Sequence, residues 1–408
     1  MSSSIHITKH KTLTGTVNRL PASKSISNRV LIMDALGGGK STLTNLSEAN
    51  DTVLMRQLIN SSDPVLDVED AGTTMRFLTA YLAVQGQEKV ITGTDRMKLR
   101  PIGLLVDALR VLGARISYLE KEGFPPLKIE GFEGQKTNQL TIRGDVSSQY
   151  ISALMMIAPT LPKGLTLTLT GKVGSKPYID MTASLMRKFG VEVQVNENVI
   201  EVGPQPYKPC DYRIEADWSA ASYWFAFTAL ADQAEITLPN ITMRSFQGDR
   251  VIADLMEQLG VKSEPRGNNL LLTKKEAHTE LTFDFTHCPD LAQTVAVVCA
   301  AKGIHGTFTG LESLRIKETD RIHALHQELQ KIGAQLIETG SSWKLVPTHN
   351  IPETIPTINT YLDHRMAMAF APLATLRDIV IENPTVVRKS YPGYWDDLKT
   401  VGFTLAEV

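Results

Sequence analysis

The stretch LVDALRVLGARISY (residues 105–118) reads as a helix that stops on a glycine and turns into a strand. Apolar residues recur at i, i+3 and i+4 as far as Leu112, Gly113 is the left-handed stop, and the apolar period then switches to two. The phrase returns as TASLMRKFGVEVQV (182–195), IADLMEQLGVKSEP (252–265), ALHQELQKIGAQLIE (324–338) and WDDLKTVGFTL (395–405). The stopping glycines are Gly113, Gly190, Gly260, Gly333 and Gly402, spaced by 77, 70, 73 and 69 residues. TVLMRQLINSSDPV (52–65) is a degenerate sixth copy without the glycine. A period of about 70 residues is too long for a solenoid and points to a small α/β unit used six times. Helix–glycine–strand is also a common connector, which is the plainer account of any one copy.

Directly upstream of those helices stand KLRPIG (98–103), GSKPYID (174–180), QGDR (247–250), RIKETDR (315–321) and RKSYPGYW (388–395). Each puts hydroxyls or cations at or before a first turn, where unpaired backbone N–H groups and the helix dipole favour an anion. Taken singly, these residues are ordinary caps and solvated charges. If the copies are arranged alike, several helix starts converge on one anion-selective cleft.

Composition narrows the class of partner. Of 408 residues, 42 are Lys or Arg and 44 Asp or Glu, a formal charge of −2 that gives no general footprint for nucleic acid or an anionic membrane. Anion binding must therefore be local. The hydrophobic share of 42% is that of a globular protein, and two to three domains is the prior for this length. Cys210, Cys288 and Cys299 have no metal-finger spacing and suit a reducing compartment. The polar N-terminus shows no signal peptide, and no apolar run reaches the ~18 residues of a span, so a cytoplasmic protein is expected.

Two apparent motifs fail. LGGGKST (36–42) would need Gly at position 34 to be a P-loop, and Asp34 stands there, with helix before and strand after, the reverse of the required order. His323 and His326 share a helix face without an evident third ligand, which argues against a metal. Other stretches are more informative. PASKSISNR (21–29) sets Arg29 one turn after Ser25, DAGTTMRFL (70–78) pairs a glycine turn with Arg76, and GDVSSQY (144–150) offers two hydroxyls and an amide before an apolar helix. RIKETDR carries Arg315, Lys317, Glu318, Asp320 and Arg321, and YLDHRMAM sets Asp363, His364 and Arg365 against an apolar helix. Cations for anions stand there beside carboxylates able to move protons.

PASKSISNR, DAGTTMR, LRPIG, GDVSSQY, SKPYID, LRIKETDR, LDHRMAM and KSYPGYW, in this order and spacing, closely resemble the 5-enolpyruvylshikimate-3-phosphate synthases of the enolpyruvyl transferase family. The resemblance runs from about Gly15 to Tyr394. It implies a two-lobed inside-out α/β barrel of six βαβαββ repeats, three per lobe. The lobes would be residues 21–214, and residues 1–20 with 215–408, with the active site in the interlobe cleft. It also implies transfer of the enolpyruvyl group of phosphoenolpyruvate to the 5-hydroxyl of shikimate 3-phosphate in the shikimate pathway, without metal or organic cofactor. A monomer is expected.

Carried over by the same resemblance, Ser147, Ser148 and Ser175 would hold the shikimate phosphate, Ser25 and Arg29 its carboxylate, with Gln149 along the ring and Tyr178 lining the pocket. Lys24, which also touches shikimate 3-phosphate, would clamp phosphoenolpyruvate together with Arg100, Arg321, Arg365 and Lys389, near the Gly72 backbone and Gln149. Asp290 and Lys317 would take the proton of the attacking hydroxyl, and Glu318 would protonate the methylene carbon, which calls for a raised carboxyl pKa. Two lobes with like-charged helix starts would open when empty and close on anions.

The sequence departs from the family's commoner pattern at Asp70, where Asn is usual, at Phe77, where Pro is common, and at Ser313, where Asn is frequent. These put in question the affinity for phosphoenolpyruvate and for glyphosate, not the reaction. The sister family acting on a UDP-amino sugar commonly uses a first-lobe Cys, and none precedes Cys210 here. A silent binding protein would have no use for Asp290, Lys317 and Glu318 together.

Overall fold

The computed structural model describes residues 3–145, 147–174, 176–348 and 354–408. They form two compact units, residues 1–21 with 215–408, and residues 22–214. Each unit carries three sheets.

Five of the six sheets share one pattern, an edge strand parallel to its neighbour followed by two antiparallel strands. In the 22–214 unit, one sheet runs Val65–Asp67, Glu88–Thr92, Leu127–Phe132, Ala114–Tyr118, and another runs Gln139–Arg143, Leu165–Thr170, Val199–Val202, Gln194–Asn196. In chain order the first is strand, helix Gly72–Val84, strand, helix Gly103–Leu112, strand, strand. The sixth sheet keeps only the parallel pair, Asp211–Arg213 on Thr42–Thr44. Its strand Thr42–Thr44 comes just ahead in sequence of the helix Asn50–Leu58, in the copy that lacks a stopping glycine.

The other unit borrows the start of the chain. Thr12–Thr16 runs parallel to Gln233–Leu238, and Ser4–Ile7 lies between Ile379–Glu382 and Leu405–Glu407. The five stopping glycines all take positive φ, from 77° to 121°. A side chain would be strained there, which is why glycine marks the change of period. After Gly190 and Gly402 the strand is delayed, to Gln194 and Leu405.

Strands bury one face, as in Leu165–Thr170, where leucines are buried and threonines face outward. Some helices are buried nearly all round, as in Gly72–Val84, Trp218–Leu230 and Ala292–Lys302, and others keep an exposed face, as in Gly103–Leu112 and Lys176–Lys188. The fully buried helices form the inside of each unit, so helix starts and the turns before them carry the polar chemistry. The P-loop look-alike is a helix Lys24–Leu36, a glycine turn and the strand Thr42–Thr44. Among the described residues no helix is long and apolar enough to cross a membrane.

Candidate active site

In the unit of residues 1–21 and 215–408, the chemistry centres on Arg321, the first residue of the helix Arg321–Gln330, whose N-cap Asp320 accepts from the His323 N–H at 3.0 Å. The guanidinium is 1% exposed and donates to three carboxylates: Asp363 at 2.7 Å, Glu318 at 2.8 Å and Asp290 at 3.0 Å. Asp363 is itself the N-cap of the helix His364–Phe370 and accepts from the Arg365 N–H at 2.9 Å. Arg365 then pairs with Asp290 at 2.9 Å and donates to the Tyr223 hydroxyl at 3.3 Å. Lys389 reaches Glu318 at 3.3 Å.

Electrostatics follow from that geometry. Burial works to raise the Asp290 carboxyl, yet Arg365, Lys317 and Arg321 outweigh it and hold it well below the usual carboxylate range. Burial likewise lowers the Lys317 ammonium, with Arg321 and Arg365 adding to the effect against Asp290 and Glu318. Arg321 is the opposite case, since Asp363, Glu318 and Asp290 overcome burial and hold its charge more firmly than usual. The result is an ionised carboxylate and a weakened ammonium side by side, which suits proton removal. An anion entering here competes with Glu318 and Asp290 for Lys389 and Arg365.

The 22–214 unit holds the second cluster. Ser23 caps the helix Lys24–Leu36, accepting from the Ile26 N–H at 3.4 Å, and so sets Lys24, Ser25 and Arg29 on its first turns. Arg29 is buried and donates to Thr182 Oγ1 at 2.8 Å, Ser152 Oγ at 2.9 Å and the Ser25 carbonyl at 2.8 Å. Its guanidinium lies 5.3 Å from the centre of the Phe77 ring and 5.7 Å from that of Tyr178. Burial pulls its pKa down to about 10, partly offset by Tyr178. Ser147 caps the helix Ser148–Ile157, accepting from the Gln149 N–H at 3.4 Å, and the Gln149 amide donates to Thr73 at 3.1 Å. Lys24 stands 3.9 Å from Asp51.

Gly72 and Arg100 are brought together in the same unit. Arg76 fixes the arrangement, donating to the Gly72 carbonyl at 3.1 Å and the Pro101 carbonyl at 2.9 Å, and Tyr150 adds a 2.5 Å bond to Pro101. The Arg100 backbone N–H donates to the Met97 carbonyl at 3.0 Å, while its guanidinium makes no hydrogen bond or ion pair to another described residue and lies against Gly72 at the start of the Gly72–Val84 helix. Asp70 accepts from the Thr94 hydroxyl at 2.5 Å.

The structure thus brings together Asp290, Lys317, Glu318, Arg321, Arg365 and Lys389 in one unit, and Ser25, Arg29 and Tyr178 in the other, with Gly72 against Arg100 and Gln149 against Thr73. Ser148 opens the helix that Ser147 caps. Ser175 lies outside the described residues. Three of the cations stand before the α-helices on short turns: Arg100 and Lys317 cap the C-termini of 3-10 turns Met97–Leu99 and Glu312–Ile316, and Lys389 ends the turn Pro384–Lys389. Such turns are too short to register as periodicity. Asp363 and Arg76 stood in the quoted motifs without a role, whereas Tyr223 and Ser152 sit in apolar helices and Thr182 on the amphipathic helix Lys176–Lys188, and none of the three gave a signal. His326 is accounted for by the Leu336 carbonyl at 3.0 Å and Gln330 at 3.0 Å.

The model of the EPSP synthase (3-phosphoshikimate 1-carboxyvinyltransferase) family matches residues 7–61 and 55–398. A curated 3-phosphoshikimate 1-carboxyvinyltransferase of Bacteroides fragilis is 49% identical over 389 residues, 94% of this chain and 95% of the relative. Its Vibrio campbellii counterpart is 38% identical over 422 residues, 95% and 96% of the two chains. Among solved structures, an EPSP synthase from Acinetobacter baumannii superposes with a TM-score of 0.77 at 19% identity over 100% of both chains, a likeness of fold.

Proposed function

The chain belongs to the EPSP synthase (3-phosphoshikimate 1-carboxyvinyltransferase) family, and from that premise we propose that the two clusters are its substrate sites. The enzyme transfers the enolpyruvyl, or carboxyvinyl, group of phosphoenolpyruvate to the 5-hydroxyl of shikimate 3-phosphate, releasing phosphate. In this reading Lys24, Ser25, Arg29, Ser147, Ser148, Gln149, Ser175 and Tyr178 receive shikimate 3-phosphate, with Asp290 and Lys317 at its reacting hydroxyl. Lys24, Gly72, Arg100, Gln149, Arg321, Arg365 and Lys389 receive phosphoenolpyruvate.

The observation that carries the reading is the Arg321 cluster, three carboxylates laced through Arg321, Arg365 and Lys389 with Lys317 alongside. Two polyanions repel in water, and fixed cations remove that penalty while setting their approach. Arg suits them because its planar fork meets two oxygens at once. Phosphoenolpyruvate arriving at Arg365 and Lys389 draws Lys389 from Glu318 and loosens that carboxyl for proton transfer.

Glu318 then gives its proton to the methylene carbon, leaving an oxocarbenium-like C2. The 5-oxygen bonds to C2 as its proton passes to Asp290 and Lys317, and the product is a tetrahedral adduct. A methyl proton returns to Glu318 while the C2–O bond to phosphate breaks, the electron pair leaving with phosphate. Of the pair Asp290 and Lys317, the lysine is the better proton acceptor, since burial weakens its ammonium, while the ionised Asp290 steadies the charge it takes up.

The first test is a coupled assay with both substrates, following phosphate and confirming the enolpyruvyl product by mass. Product that requires both and persists in EDTA is expected; tight binding of shikimate 3-phosphate without product would favour a silent binder. Glu318→Gln should lose turnover by about 100-fold or more while folding normally, as removal of a general acid does. A cytoplasmic monomer is part of the reading, supported by two charged substrates that do not cross membranes unaided, and sedimentation checks the monomer.

A further inference from the structure

A further carboxyl, beyond the three that Arg321 holds, bears on this cluster, and no step above uses it. Asp249 lies in the 3-10 turn Gly248–Val251 and is 4% exposed. Its Oδ2 accepts a short hydrogen bond from the Ser219 hydroxyl, and its buried Oδ1 meets no hydrogen-bond donor among the described residues. Gln247 fixes the turn: its amide oxygen accepts from the Trp218 N–H at 3.0 Å, and its amide nitrogen donates to the Ala216 carbonyl at 2.8 Å and to Glu215 at 2.9 Å.

One helix face links this carboxyl to the site. Ser219 and Tyr223 are four residues apart on the helix Trp218–Leu230, so their Cβ atoms are neighbours at about 5–6 Å. Ser219 holds Asp249, Tyr223 accepts from Arg365 at 3.3 Å, and Arg365 holds Asp290 at 2.9 Å. The charged and titratable groups bearing on Asp249 come from three elements: Asp290 and the nearby Cys288 thiol at the turn Pro289–Leu291, Arg365 on the helix His364–Phe370, and Asp217 at the N-cap of the helix Trp218–Leu230. Burial, and next the charge of Asp290, push the Asp249 carboxyl up to about 7, against Arg365 and the Ser219 hydroxyl. The two aspartates are thus driven apart, Asp290 kept ionised and Asp249 holding its proton until about neutrality.

We propose that Asp249 is a positioning residue for the phosphoenolpyruvate anion at Arg365: with its proton it leaves the guanidinium's field to the substrate, and without it the new carboxylate competes for that field and weakens binding. The inference rests on Arg365 being a phosphoenolpyruvate ligand. Its consequence is a KM for phosphoenolpyruvate that worsens with rising pH through a group that never touches the reacting atoms.

The experiment measures KM for phosphoenolpyruvate at saturating shikimate 3-phosphate from about pH 5.5 to about pH 8.5 in the full-length enzyme and in Asp249→Asn. The substrate's own ionisation is common to both proteins and cancels in the ratio of their KM values. That ratio, wild type over variant, should rise roughly three- to ten-fold across neutrality, the effect of one charge at intermediate screening, with kcat at low pH little changed. Ser219→Ala removes a hydroxyl that stabilises the carboxylate and should move the rise to higher pH; this variant decides the matter if Asp249→Asn does not fold. A constant ratio together with an unmoved Ser219→Ala profile overturns the proposal. Arg365→Ala leaving the KM unchanged would show instead that Arg365 is not the ligand, and the proposal falls with that reading.

Discussion

A β-carbon built on Gly72 falls 2.5 Å from one Arg100 terminal nitrogen and 2.8 Å from its central carbon. Glycine is needed here for close approach rather than for an unusual φ, and the atoms in the way are the movable end of a side chain. Gly72→Ala should therefore fold normally yet displace Arg100, raising the KM for phosphoenolpyruvate by about ten-fold, the worth of one good charge-assisted contact. Steady-state kinetics beside a thermal melt check this, and an unchanged KM would remove Arg100 from the site. Asp70 sits two residues away with its carboxylate held by Thr94. Asp70→Asn should lower the same KM by about two- to five-fold, since a half-exposed charge is worth about 1 kcal/mol or less; no change would mean Asp70 acts only on its own loop. At Asp249, ionisation bears on stability as well. Its folded pKa is raised above the unfolded value, so the unfolded chain releases this proton first, and stability drains as pH climbs from about 4 to about 7. Asp249→Asn should flatten that part of the stability curve, which denaturant melts across pH will show. The cations and hydroxyls of the site were legible at this scale because they cluster in sequence. Asp249 was not, because a lone carboxylate in QGDR looks like a surface residue until its burial is seen.

Asp363 does two jobs at the start of one short helix, capping the Arg365 N–H and neutralising Arg321 along its Nε–Nη2 edge, where it shares Nη2 with Glu318 while Asp290 takes Nη1. Asn caps a helix about as well as Asp, so Asp363→Asn removes the charge alone, whereas Asp363→Ala removes both. With a buried pair broken, the Ala variant should lose about 3–5 kcal/mol of stability. The Asn variant should fall between it and wild type and still bind shikimate 3-phosphate normally. Equal losses in both would show that the ion pair dominates and the cap adds nothing. The elements themselves were legible where period and stop coincide, as in Gly103–Leu112 followed by Ala114–Tyr118. They were not legible where burial is complete: Trp218–Leu230 has twelve buried residues and no polar stripe, so nothing drew attention to Ser219 or Tyr223 on it.

Each unit draws its apolar core entirely from its own residues, one cluster from Ile5 to Val17 with Ala216 to Phe403, the other from Ala22 to Ile214. The near-70-residue spacing made the repeated unit visible, but which strands close each sheet depends on pairings distant in sequence that no local period encodes. Ser4–Ile7 pairs with Ile379–Glu382 on one side and Leu405–Glu407 on the other, and Thr12–Thr16 completes the sheet of Gln233–Leu238. The two units should therefore respond differently to being cut out. Residues 22–214 are continuous, hold a closed core, and carry Lys24, Ser25, Arg29 and the Ser147–Ser148 turn, so this piece alone should unfold cooperatively and bind shikimate 3-phosphate. Its affinity should be weaker for want of Asp290 and Lys317, and turnover should be absent without Glu318, Arg365 and Lys389. Residues 215–408 alone lose an interior strand from one sheet and an edge from another, leaving Leu405–Glu407 unpaired and N–H groups exposed along the gap, so this piece should aggregate or remain molten. Circular-dichroism melts and titration calorimetry on both pieces separate the outcomes: a non-cooperative 22–214 piece would mean its core is not self-sufficient, and a well-folded 215–408 piece would mean the N-terminal strands complete the sheets without being needed to hold them.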